Sequence, residues 1–161
     1  MSDYKIRLIK PDDNKPLADV IRTVLTQQGN NVDGTVFTDE ATDRMFDGYQ
    51  TENSVYYIVE IDNKVVGGCG VAQLIGEKET TCELQRLFLL KEARGYGIGQ
   101  KLVEKCINFA KRKGYKLMYL ETFPNMVEAI GLYKKNGFKL IDKPLGSTGH
   151  FYCTTRMTLD L

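Results

Sequence analysis

A chain of 161 residues fits one ordinary domain, expected to span 1–161, and leaves little room for a second independent core. Hydrophobic residues at 42% and charged residues at 27% suit a chain that folds in water, and no stretch approaches the roughly 20 apolar residues of a membrane span. Lys and Arg number 22 against 21 for Asp and Glu, which implies neither a nucleic-acid footprint nor a strongly charged partner.

The opening MSDYKIRLIK carries no apolar signal-peptide run, so a cytoplasmic location is expected. Tyr4 to Ile9 alternates as a short strand, and Leu17, Val20, Ile21, Val24 and Gln28 recur at helical spacing until Gly29. Asn30 to Phe37 reads as a loop. Thr38 then predicts the cap of a second helix, with Asp39 and Glu40 in its first turn and Met45, Phe46 and Tyr49 inward. Val55 to Ile61 and Lys64 to Ala72 are β-rich runs flanking Asp62 and Asn63, which suit a tight hairpin. Gly67, Gly68 and Gly70 crowd the second run and mark either a bulge or the close approach of another backbone or a ligand.

The strand CELQRLFLL follows from Cys82, then the loop KEARGYGIG, then the helix QKLVEKCINFAKRKG, with Leu102, Cys106 and Ala110 on its buried face and Gly114 at its end. Its basic residues read as a solvated face. Lys116 to Thr122 is a further β-rich run, so the unit is a βαβ crossover with parallel strands. One more helix ends at Gly137 and Phe138, and Phe151 to Leu159 reads as the closing strand. The alternation gives an α/β layout. Cys69, Cys82, Cys106 and Cys153 form no CxxC pair and read as reduced, mostly buried thiols. His150 is the only histidine, so no metal site is expected; as a loop residue read as exposed, it stays outside the catalytic set.

The glycine loop opens at the carboxyl end of a strand, where a helix start offers unpaired N–H groups to an anion. On the glycines alone, a phosphate cradle and a plain tight turn are equally good readings. A P-loop fails because Gly99 is followed by Gln100, Lys101 and Leu102 where the pattern needs Lys and then Ser or Thr, and a dinucleotide fingerprint fails because Leu102 stands where its third glycine is needed.

Arg94, two residues, Gly97, one residue, Gly99 is the pattern Q/R-x-x-G-x-G/A, and the segment resembles the GCN5-related N-acetyltransferase (GNAT) family. The resemblance continues through LETFPNMVEAIGLYKKNGF, Leu120 to Phe138, which is similar to the family's second cofactor segment. It implies an α/β (α+β) fold built on a single mixed, mostly antiparallel twisted sheet of about six or seven strands, with helices on both faces and a central parallel βαβ unit. It implies acetyl-coenzyme A as acyl donor, without a metal. The backbone of Leu87, Phe88 and Leu89 would hold the pantetheine arm, and Arg94, Gly95, Tyr96, Gly97, Ile98, Gly99 and Gln100 the pyrophosphate. Ala129 belongs to the second segment; the asparagine that the family often places three residues before it is Met126 here, preceded by Asn125, the candidate carried in its stead.

The activity implied is transfer of acetyl to a primary amine of a small molecule or amino acid by direct attack on the thioester. The alternatives are a protein or peptide N-acetyltransferase and a non-catalytic acyl-coenzyme A sensor. Glu83 is the candidate base and Tyr133 the candidate acid. Alternation puts Glu83 on one face with Gln85, Leu87 and Leu89 unless a bulge reverses it. The acceptor pocket is expected between residues 29–50 and the loop from Gly146 to His150. The partner expected is the small-molecule amine, with no nucleic acid or membrane, and the resemblance also suggests a homodimer.

Overall fold

The computed structural model describes residues 3–161; Met1 and Ser2, part of the opening segment read for an export signal, lie outside them. Seven strands, β1 (Tyr4–Leu8), β2 (Val55–Ile61), β3 (Lys64–Gln73), β4 (Thr81–Leu89), β5 (Leu117–Thr122), β6 (Lys139–Ile141) and β7 (Thr155–Asp160), form one sheet in the order β1-β2-β3-β4-β5-β7-β6. Every neighbouring pair is antiparallel except β4 and β5. That one pair needs a crossover, and α2 (Ile98–Arg112) supplies it.

Asp62 and Asn63 both take left-handed backbone, φ 51° and 63°, and close the β2–β3 hairpin as their side chains permit. Alternate residues of β2 then serve opposite faces. Tyr56 and Ile58 meet Leu17, Ile21 and Leu25 of α1 (Asn14–Gln27), while Tyr57 and Val59 join the cluster that buries Leu102, Val103 and Cys106 of α2. Tyr133 of α3 (Val127–Lys135) is buried on that second side. Gly29, Gly114 and Gly137 stand just past the three helices with φ of 74°, 85° and 95°. The basic residues from Lys101 to Lys116 are exposed, and all four cysteines are free and buried.

Two expectations are corrected. No α-helix follows Thr38, whose hydroxyl instead accepts from the Gly34 N–H at 2.9 Å. Asp39 caps a short 3-10 turn, Glu40–Asp43, and a second turn spans Asp47–Tyr49. Tertiary bonds outweigh helix continuation there: the Thr42 hydroxyl donates to the Val36 carbonyl at 2.7 Å and Asn14 Oδ1 accepts from the Phe46 N–H at 2.8 Å. Met45 and Tyr49 still point inward. The closing strand also starts at Thr155; Phe151, 84% exposed, and Tyr152 lie in a turn before it.

The glycines of β3 are there for packing. A Cβ on Gly70 would stand 2.6 Å from the Tyr56 ring, 2.7 Å from the Val55 carbonyl oxygen and 3.0 Å from the Tyr49 ring. The two tyrosine rings, with centroids 5.1 Å apart, thus lie directly on strand backbone. Gly70→Ala should lower stability by about 1–3 kcal/mol in urea denaturation, the usual cost of overpacking. A variant as stable as the parent would mean the tyrosines yield freely.

Candidate active site

β4 and β5 run side by side for three residue pairs only: Thr81 with Leu117, Cys82 with Met118 and Glu83 with Tyr119. Past Glu83, β4 keeps β3 on one side and has no strand on the other among the described residues, and a cavity of about 470 Å³ opens there. Leu87, Phe88 and Leu89 of β4, the start of α2, and Ala129 and Leu132 of α3 form its walls. Its size is that of a site for a substantial ligand.

The loop into α2 is tied at both ends. Arg94 reaches back to donate from Nε to the Leu89 carbonyl at 3.0 Å. Gly97 takes φ 77°, and the ladder of α2 begins with the Lys101 N–H donating to the Gly97 carbonyl at 3.1 Å. The N–H groups of Ile98, Gly99 and Gln100 precede that bond and have no helical acceptor, at the positive end of the helix dipole. A Cβ on Gly99 would stand 3.1 Å from Leu132 Cδ2, so that glycine also sets how closely α2 and α3 approach.

All the residues predicted to hold a cofactor line this cavity except Tyr96, which is 52% exposed outside it. Two of them have side chains already engaged. Gln100 and Asn136 exchange amide hydrogen bonds at 2.9 and 2.8 Å, joining α2 to the end of α3. Asn125 donates to the Gln28 carbonyl and accepts from Asn30 Nδ2, fixing the loop before α3 to the end of α1.

A smaller cavity, about 80 Å³, shares Leu87, Phe88, Met126 and Ala129 with the first. Glu83 and Tyr133 both line it. A bulge sets Glu83's direction: between the pairs Gln85–Gly70 and Phe88–Gly68, two residues of β4 oppose one of β3. Arg86, in the bulge, takes φ 51°, and the Tyr56 hydroxyl donates to its carbonyl at 2.7 Å. Glu83 and Gln85 consequently face the α1 side, whereas Leu87 and Leu89 pack on the α2 side. Simple alternation is broken as the bulge alternative anticipated.

Glu83 is buried and held. Tyr49 Oη donates to Gln85 Oε1 at 2.6 Å, and Gln85 Nε2 donates to Glu83 Oε1 at 2.5 Å. Burial pushes the Glu83 carboxyl up to about 7; the Gln85 hydrogen bond opposes this, the charge of Glu121 adds to it, and Arg86 opposes it. Burial also raises the Tyr133 hydroxyl far above the usual phenol range. The Tyr133 ring meets Phe138 edge-on, centroids 5.8 Å apart, and its hydroxyl has no hydrogen-bond partner among the described residues. His150 is half-buried against the same cavity, contrary to the exposed position expected, and desolvation followed by the charge of Arg86 lowers its pKa.

A profile of the Acetyltransferase (GNAT) family matches residues 23–138. The chain belongs to the GNAT acetyltransferase family. It is 38% identical to the uncharacterized N-acetyltransferase YjgM of Escherichia coli K12 over 157 residues, covering 97% of this chain and 94% of that protein. To N-acetyltransferase 8 of Homo sapiens it is 32% identical over 111 residues, 67% of this chain and 48% of that protein. Among solved structures, a GNAT-family acetyltransferase from Staphylococcus aureus Mu50 aligns with a TM-score of 0.85 at 20% identity over 99% of each chain. The PaiA N-acetyltransferase from Thermoplasma acidophilum, solved with coenzyme A, aligns with a TM-score of 0.71 at 19% identity over 99% of this chain and 100% of that one. Both share the fold.

The contacts of several polar residues at this candidate site were not anticipated from the sequence. Gln85 orients Glu83, and Glu121 accepts from Tyr119 Oη at 2.6 Å and from the Thr148 hydroxyl, fastening the loop before His150 to β5. Arg86 donates to Asp39 at 3.1 Å. The one signal for Arg86 was its place directly after Gln85, where two adjacent polar residues break the alternation. No group of three or more His, Cys, Asp or Glu side chains is arranged to hold a metal among the described residues.

Folding raises the Glu83 pKa, so its stabilising contribution is fully present below the unfolded value of 4.5 and is lost as pH rises through about 7. Glu83→Gln carries no such proton. Its stability relative to the parent should improve by on the order of 3 kcal/mol between acid and pH 8, read by urea denaturation at each pH. A gap that stays constant would put the Glu83 pKa in the ordinary carboxylate range.

Proposed function

We propose that this GNAT enzyme binds acetyl-coenzyme A in the larger cavity and passes the acetyl group to the primary amine of a small molecule seated in the smaller one. The shared wall carries this reading, because Leu87, Phe88, Met126 and Ala129 border both cavities and put a donor beside Glu83 and Tyr133. The residues present fit the donor. The unpaired N–H groups of Ile98, Gly99 and Gln100 suit its pyrophosphate, Leu87, Leu89 and Leu132 offer an apolar wall to its arm, and the open edge of β4 offers backbone hydrogen bonds. Coenzyme A bound to the T. acidophilum protein of the same fold supports the assignment. When bound, the donor supplies an activated thioester.

An amine attacks only when neutral, and a lysine-like amine has a pKa near about 10.4. Glu83, ionised above about 7, takes the ammonium proton, directly or through one water. The new N–C bond would form as the C–S bond breaks; the departing sulfur would take a proton from Tyr133, and the second proton lost by the attacking nitrogen would return to Tyr133 through water, because burial disfavours the phenolate. A thiol pKa of about 8.5 already makes the thiolate a fair leaving group, so Tyr133 contributes less than cofactor positioning. The volume of about 80 Å³ supports a small acceptor over an extended peptide, and a buried carboxylate at the junction supports turnover over mere binding.

A Cβ on Gly97 would meet nothing within 4 Å, but its φ of 77° is strained for a β-branched residue, so Gly97→Val should change the loop backbone and disrupt the anion site without a steric clash against the core. Coenzyme A affinity measured by calorimetry should fall at least about tenfold. Binding equal to the parent's would move the pyrophosphate elsewhere.

The function itself is tested by thiol release from acetyl-coenzyme A across a panel of small amines from pH 6 to 9.5. The parent should rise in kcat/KM to near pH 7, where Glu83 ionises, and then flatten. Glu83→Gln should be slower by about 10²- to 10⁴-fold near neutrality and recover as pH supplies neutral amine. Firm coenzyme A binding with no amine turned over would instead make the chain a sensor, and an equal loss at every pH would reduce Glu83 to a positioning residue.

A further inference from the structure

Three residues after the carboxylate assigned as base, the smaller cavity presents a cation that the acetyl transfer does not use. Arg86 occupies the strained φ of the bulge, and its side chain is only 13% exposed. A guanidinium has five N–H donors, of which Nη2 makes a single 3.1 Å bond to Asp39. Nε is buried with no hydrogen-bond partner among the described residues. A buried charged donor left open costs stability, and a planar carboxylate is the acceptor that best fits its fork.

The carboxylates that share this cavity are committed otherwise. Glu83 is held by Gln85, Glu121 by Tyr119 and Thr148, and neither comes within ion-pair distance of Arg86. The cavity therefore offers one carboxylate to an amine and, at Arg86, one cation to an anion. We propose that Arg86 anchors a carboxylate of the acceptor, so that the substrate is a small aminocarboxylate whose amine lies toward Glu83. Asp39, about one-third exposed, engages only Nη2 of the guanidinium, and a cavity of about 80 Å³ suits a compact molecule of that class.

This inference rests on the acetyl transfer proposed above, and its test separates the two. A small α-amino acid, its carboxamide and the matching amine without a carboxyl group are compared by kcat/KM with acetyl-coenzyme A, and by calorimetry on the coenzyme A-loaded protein. The parent should favour the carboxylate over the carboxamide by about 10- to 100-fold. Basicity cannot produce that preference, because the carboxamide's amine is the less basic and has more neutral form at pH 7. Arg86→Gln should bring the ratio close to one. Should that variant fail to fold, Asp39→Asn keeps the Arg86 side chain, removes its competing anion and should enlarge the parent's preference. Equal parent rates for carboxylate and carboxamide, a preference that survives Arg86→Gln, or failure of all three compounds to bind would overturn the proposal. In each of those cases, turnover of any other amine leaves the acetyltransferase reading intact; no turnover with any amine removes both.

Discussion

Three residue pairs of parallel pairing decide what this molecule can do. Joining β4 to β5 at Thr81–Glu83 fixes two strands that run in the same direction, and a right-handed crossover through α2 is the ordinary way to connect them. Their separation past Glu83 then opens a gap at the carboxyl ends of the strands. The start of α2 faces that gap with three N–H groups outside its ladder. Had the pairing continued to Leu89, β5 would cover the β4 edge and the wall formed by Leu87 to Leu89 would be sheet interior. The stable half of each strand holds the position of the open half.

The bulge at Arg86 is the second device, and the glycines of β3 belong to it. Tyr56 lies on Gly70 and donates to the Arg86 carbonyl, so a close approach on one strand stabilises an unusual backbone on the next. The bulge turns Glu83 and Gln85 toward the α1 side while Leu87 and Leu89 keep the α2 side. One strand thereby serves the smaller cavity with its first half and the larger cavity with its second. Without the extra residue, a period of two would put Glu83 on the same face as Leu87 and Leu89, without a division between the two cavities.

Much of this was legible in the sequence because it is local. The hairpin at Asp62 and Asn63, the apolar faces of the helices with their glycine stops, and Arg94, Gly97 and Gly99 each depend on residues a few positions apart. What was not legible depends on distant partners. Asn14 and Val36 break the expected helix after Thr38, and nothing near that segment announces them. Asn125 and Gln100 fit a ligand-binding list by position, yet their amides join helix ends. His150 read as exposed because a lone loop histidine gives no sign that Thr148 fastens its loop to Glu121.

The identity of the side chain beside Glu83 follows from the role of base proposed for it. Burial alone drives a carboxyl upward, and a carboxyl that stays protonated at neutral pH takes no proton from an ammonium. A Lys or Arg at position 85 would form an ion pair and pull the pKa below the usual carboxylate range, leaving a base too weak for the same transfer. A neutral amide takes the middle course. Its orientation is determined: Glu83 when ionised can only accept, so Nε2 must face it, and Oε1 must then accept from Tyr49. Burial keeps the Tyr49 hydroxyl protonated, its pKa pushed up to about 12, so it remains a donor through the range in which Glu83 titrates. The relay from Tyr49 through Gln85 thus fixes the carboxylate in place with no formal charge and leaves its pKa near 7, where the group proposed as base is about half ionised at neutral pH and still strong enough to accept a proton.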